Sequence, residues 1–185
     1  MSNVRGLSAN LAVKYIKQNF GEEGFAKVLE SLDQQERDMF KGMMNPMGLY
    51  SAKAFINMIN SADKLCGKGD YDICRQIGRF EAQEAFGGLY KVFLELGNPH
   101  FVIRRAPLAW RTLNDAGDLE VEQTGDKYVK GKISDYPDFD KGFCWNLLGY
   151  FEKVLEMSGA KNVDIKEVKC RCQGDPFCEY EIRWE

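Results

Sequence analysis

Glu167-Val168-Lys169-Cys170-Arg171-Cys172-Gln173-Gly174-Asp175-Pro176-Phe177-Cys178, continuing as Glu179-Tyr180-Glu181-Ile182-Arg183-Trp184, is the stretch around which this chain is organised. Gly174-Asp175-Pro176 is a turn signal, because glycine tolerates positive φ and the residue before proline is pushed towards an extended conformation. The chain can therefore fold back there and bring Cys178 towards Cys170. Cys144 would join them from a preceding helix. Thiols that flank a turn are the usual raw material of a zinc site.

Working outward, Val163, Ile165, Glu167 and Lys169 start a strand, and residues 177–184 form another. Residues 141–158 read as a helix with Phe143, Cys144, Leu147, Leu148, Phe151, Val154 and Leu155 along it, closed at Ser158-Gly159. Upstream, Leu119–Gln123 and Tyr128–Ile133 alternate as strands, and Thr124-Gly125-Asp126 turns one into the other. Residues 100–114 read as a helix interrupted near Pro107, residues 71–96 as the longest helical pattern, and residues 51–66 as a shorter one. Before these come short amphipathic helices over 8–20 and 22–31, and a third that starts at Ser31 or Asp33 and carries Met39, Phe40, Met43 and Met44. The order predicts an α+β fold, an antiparallel sheet packed against helices. Residues 1–48 form a helical lead-in and 49–185 the main domain.

The 185 residues suit one domain, with 44% hydrophobic and 29% charged residues and a net charge of −3. That balance argues against a general nucleic-acid binder. No apolar run reaches the roughly 18 residues of a membrane span, and the first residues carry no apolar secretion signal. A cytoplasmic protein is expected, where thiols stay reduced and metal is favoured over disulfide.

The cysteine intervals carry a resemblance. Glu167 follows Cys144 by 23 residues, Cys170 follows Glu167 by 3, and Cys178 follows Cys170 by 8. This spacing, with the aromatic strand after it, resembles the end of the V4R domain, the 4-vinyl reductase or hydrocarbon-binding family. It is similar to the zinc-holding aromatic sensors among bacterial transcription activators and to stand-alone bacterial members. The resemblance implies a structural Zn2+ on Cys144, Glu167, Cys170 and Cys178. Three thiolates and a carboxylate fill the shell, whereas a catalytic zinc keeps a position open for water. On a regular strand Cys172 shares a face with Cys170 and could replace Glu167. The plain alternative is thiols packed as small hydrophobes, which suits Cys66 and Cys74.

Aromatic residues crowd the central helices and predict a core or an apolar pocket of the order of a few hundred Å3 between residues 80–110 and the sheet. Gly87-Gly88 would kink the long helix or leave room beside it. Phe86, Tyr90, Phe93, His100 and Trp110 are the candidate ligand-binding residues, with the Tyr90 hydroxyl, the Trp110 N–H and His100 as polar handles. The resemblance implies a hydrophobic or aromatic ligand, a homodimer, and a partner protein that carries the output. Phe20-Gly21-Glu22-Glu23 also resembles the haem-based nitric-oxide sensors. Those grip haem with a proximal histidine and Tyr-x-Ser-x-Arg; the latter is missing here, so haem is not expected. The chain has a single histidine and no nucleophile elbow, Walker loop or dinucleotide fingerprint. A non-enzymatic binding or sensory protein is therefore expected. An enzyme acting on a tetrapyrrole vinyl group and a structural assembly module are the alternatives.

Overall fold

The structure, a computed structural model, describes residues 2–85 and 98–185. Helix α1 (Gly6–Glu30) packs on α3 (Ala52–Cys66) and α4 (Asp72–Ala85). It bends at Gly21, whose φ of 72° lies in the left-handed region, so the two short helices expected from sequence are two arms of one. Helix α2 (Gln34–Met39) begins at Asp33 with a capping box, the Asp33 carboxylate accepting from the Glu36 N–H and Glu36 reaching back. It ends at Phe40 rather than running on to Met44. Strands β1 (Asn3–Arg5) and β2 (Leu49–Ser51) pair antiparallel and tie the start of the chain to the main body.

Helix α5 (Pro99–Leu113) opens with the Asn98 side chain accepting from the Phe101 N–H and runs straight through Pro107. The hairpin β3 (Asp118–Gly125) and β4 (Tyr128–Ser134) follows, then α6 (Lys141–Met157), β5 (Asp164–Lys169) and β6 (Cys178–Arg183). The sheet order is β3-β4-β6-β5, antiparallel throughout. One continuous core runs from Val4 to Trp184. The expected α+β architecture, with N-terminal helices and an antiparallel sheet backed by helices, is the one present.

Among the described residues, α4 and α6 make the closest helix packing, and glycine permits it. A Cβ on Gly78 would lie 1.9 Å from the Asn146 carbonyl oxygen, and one on Gly149 would lie 2.0 Å from that of Arg75. Arg75 and Arg79 then clamp the same pair through Glu152 and Glu156. This fixes α6 and the face it turns to the sheet.

Candidate functional site

Helix α6 brings Cys144 into the core at its first turns, where it is fully buried. Across from it, β5 and β6 pair so that Glu167 stands opposite Tyr180, and directly opposed residues share a face of the sheet. The register shifts between Glu167 and Lys169, a bulge that ends the regular strand before Cys170. Residues Arg171–Gln173 then form a 3-10 turn, closed by Gly174 at φ 97°. Asp175 holds the turn by accepting from the Cys170 N–H at 2.8 Å. The chain so returned places Cys178 at the start of β6.

One ligand atom from each of Cys144, Glu167, Cys170 and Cys178 lies within 4.8 Å of every other. The Cys144 and Cys170 sulfurs are 3.7 Å apart. A tetrahedral zinc with Zn–S near 2.3 Å would separate two sulfurs by about 3.8 Å. Glu167 turns one oxygen to Lys141, 3.3 Å away, while Oε1 is buried and has no hydrogen-bond partner among the described residues. A cation beside the three thiols would satisfy that orphaned carboxylate oxygen. The Cys178 sulfur accepts from the Arg171 N–H at 3.3 Å, a contact that favours thiolate.

The protonation of the cluster points the same way. The Cys144 thiol is pushed far up, first by donating to Cys178, then by burial and the nearby Glu167 carboxylate. Burial raises Cys170 to about 12. Cys178 is lowered, chiefly because Cys144 donates to it. Without a cation the thiols share protons; all can ionise together only around a metal ion. These donors therefore fit a metal ion. The regular strand on which Cys172 could have replaced Glu167 is not present: Cys172 is exposed on the 3-10 turn, outside the group of four.

Beside the cluster, sharing α6 and β6 with it, is a cavity of about 270 Å3. Its walls come mainly from α4, α5, α6 and the inner faces of β3, β4 and β6, in the region expected from sequence. The lining is almost wholly apolar, including Ile103, Trp110, Val129, Leu147, Phe151 and Ile182. Exposed Phe101, Arg105 and Ala109 stand at its rim. Gly131 belongs to the inward row of β4 with Val129 and Ile133, and a Cβ there would meet only Leu119, at 3.9 Å. Its missing side chain is part of the space.

Of the five residues expected to bind a ligand, Phe86, Tyr90 and Phe93 lie outside the described residues, as do Gly87 and Gly88. Trp110 is in the wall, but its N–H donates to the Ala116 and Gly117 carbonyls at 3.1 and 3.0 Å and is not a handle for a ligand. His100 is not in the wall: its ring packs on Trp184 at 5.5 Å and its Nε2 is 3.7 Å from Asp126. Polar residues that do reach the wall include Glu81, Asn146 and Tyr180, which were not singled out by sequence reasoning, and Tyr150, one of the aromatic residues on the central helices. A glutamate on the apolar stripe of α4 was the available signal for the first of them.

Among solved structures, the chain resembles an H-NOX protein from S. oneidensis in the Fe(II)NO ligation state, with TM-score 0.74, 11% identity, and coverage of 98% of this chain and 99% of that one. A Fe(II) unliganded H-NOX protein from K. algicida matches with TM-score 0.70 and 10% identity over 98% and 96% of the two chains. A mutant of T. Tengcongensis H-NOX matches with TM-score 0.71 and 13% identity over 98% and 97%. At such identities the likeness is one of fold. It extends the resemblance of the lead-in helices to the whole chain. His100, the only histidine, is not among the described residues of the cavity wall, and the sequence has no Tyr-x-Ser-x-Arg, so the described residues supply neither of the two haem-gripping features inside it. No curated protein matches the sequence. The V4R domain model matches residues 130–184, the segment that holds all four clustered donors, and over those residues this chain is similar to a V4R domain.

Proposed function

We propose that this protein is a small-molecule-binding sensory domain in which a structural zinc braces the wall of an apolar ligand cavity. The observation that carries this reading is the cavity of about 270 Å3 between α5, α6 and the sheet. A cavity of about 150 Å3 holds a benzene molecule, so this one suits roughly ten to twelve non-hydrogen atoms. Zinc sits on Cys144, Glu167, Cys170 and Cys178 with no position left for water, and so serves structure rather than chemistry. The solved relatives by fold support a sensory role, one of them being described with nitric oxide on its iron. Residues 49–185 form the ligand-binding part and 1–48 the helical lead-in. The domain acts in the cytoplasm as a homodimer and signals through a partner protein.

Native mass spectrometry of freshly purified protein, never exposed to chelator, tests both halves. One zinc per chain and a small apolar molecule retained in gentle conditions are expected. A stoichiometry well below one overturns the metal assignment. Failure of every neutral aromatic of ten to twelve heavy atoms, roughly the size set by the cavity, to bind in titration overturns the ligand assignment.

A further inference from the structure

Glu81 is the one carboxylate on the cavity wall among the described residues. It projects from α4 and is only 4% exposed. Its Oε1 is buried and has no hydrogen-bond partner among the described residues. Asn146, across the close α4–α6 contact, is in hydrogen-bonding reach of its carboxyl group. Arg105, the other charged residue of the wall, is exposed at the rim with its guanidinium 4.5 Å from the Phe101 ring.

Leaving a buried oxygen unmatched costs about 1–3 kcal/mol, and native proteins rarely tolerate it without a use. Apolar side chains fill most of the wall, so any molecule in the cavity is held mainly by area. Its one polar group then has few matching places: Glu81 and the Tyr180 hydroxyl are the wall groups with a buried oxygen lacking a partner, and of the two only the carboxyl offers a second oxygen. Burial also raises the Glu81 carboxyl to about 8, so near neutral pH it keeps its proton in the empty cavity and can both donate and accept. A hydroxyl or amino group can complete that pair of bonds. A carboxylate would bring a second negative charge into an apolar space whose one described cation, Arg105, stands out at the rim.

Resting on the proposal that the cavity takes a ligand, we propose that Glu81 is its polar anchor and that the ligand is an apolar molecule whose single polar group is a hydrogen-bond donor, a hydroxyl or an amine, with carboxylates rejected.

The test uses a matched set on the full chain: naphthalene, 2-naphthol, 2-naphthylamine and 2-naphthoate, titrated by calorimetry. The two donor-bearing compounds should bind about tenfold or more tightly than naphthalene, a gain of about 1.4 kcal/mol, and the naphthoate should not bind. Glu81→Leu should bring naphthol and naphthalene within about twofold of each other, mostly by weakening naphthol. Should that variant fail to fold, the carbon-13 resonance of the Glu81 carboxyl in the parent protein serves instead: it should shift with naphthol and stay put with naphthalene. Equal binding of naphthalene and naphthol by the parent, or a resonance unmoved by naphthol, overturns the anchor and leaves the cavity proposal standing. Binding by none of the four overturns both.

Discussion

The cysteine cluster and the apolar cavity are neighbours built on the same helix and the same strand, yet they are opposite kinds of site. The cluster gathers four donors into a space where each pair of ligand atoms is within 4.8 Å. Its geometry is dictated by bond lengths, so it tolerates little variation in the chain that supplies it. Among the described residues the cavity is lined from nine elements, and it exists because some atoms are missing. A metal site is specified by what is present; a cavity is specified by what has been left out. The first should break at a single atom, while the second should change by degrees.

Cys170→Ser should give the largest effect. It removes one donor and leaves the others as a crowded, protonated set. Structural zinc contributes roughly 10–16 kcal/mol in small zinc peptides, against a domain's net stability of about 5–15 kcal/mol. Loss of metal by elemental analysis and a collapse in unfolding midpoint are expected. Cys66→Ser and Cys172→Ser should keep the metal and shift stability by less than about 1 kcal/mol. Retention of one zinc per chain in Cys170→Ser would erase the contrast between the two sites.

The next effect lies in the pH dependence set by Glu81. Its folded carboxyl is raised by burial to about 8, above the ordinary value of 4.5. Below about 4.5 both folded and unfolded chains hold the proton and the full contribution is present. As pH rises the unfolded chain loses the proton first, so stability falls progressively until about 8 and then levels. Glu81→Gln removes this loss. Its stability relative to the parent should therefore grow from pH 5 to pH 8, by about 2–4 kcal/mol at roughly 1.4 kcal/mol per pK unit. Urea unfolding of both proteins at several pH values is the measurement, and a constant difference would show that Glu81 is solvated.

The smallest effect on stability should come from Gly131→Val, and it sharpens the comparison most. The new side chain enters space where its Cβ meets only Leu119. A β-branched residue also suits a strand better than glycine does. Stability should stay level or rise by about 0.5–1 kcal/mol, while ligand affinity falls at least about tenfold. Unchanged affinity would mean that the ligand does not use this part of the cavity.

The same contrast explains what was legible in the sequence. The intervals among Cys144, Glu167, Cys170 and Cys178 could be read because a donor set constrains spacing, and the hairpin of β3 and β4 could be read because one face is buried and alternation follows. The pairing of β1 with β2 could not, since three residues on each side carry no period. Cys172 stayed open as an alternative to Glu167 on a regular strand because the bulge that ends β5 has no mark in local sequence. Trp110 was legible as a wall residue but not as one whose N–H is already spent, because its acceptors lie on the chain that follows the helix. Gly78 and Gly149 each cost helix propensity, and only the partner helix shows why they are there.

The strand order β3-β4-β6-β5 has a consequence for synthesis. Strand β6 is the last of the four in the chain, yet it lies between β4 and β5 and pairs with both. On the ribosome, β4 and β5 emerge before the neighbour they share. Until residues 178–183 arrive, each presents an unpaired inner edge to any other nascent strand, and the donor cluster has three members rather than four. On the proposed metal assignment, zinc would not lock a partial domain in place. It would be captured in the same event that closes the sheet, and a chain interrupted before Cys178 should be an aggregation hazard rather than a smaller folded domain.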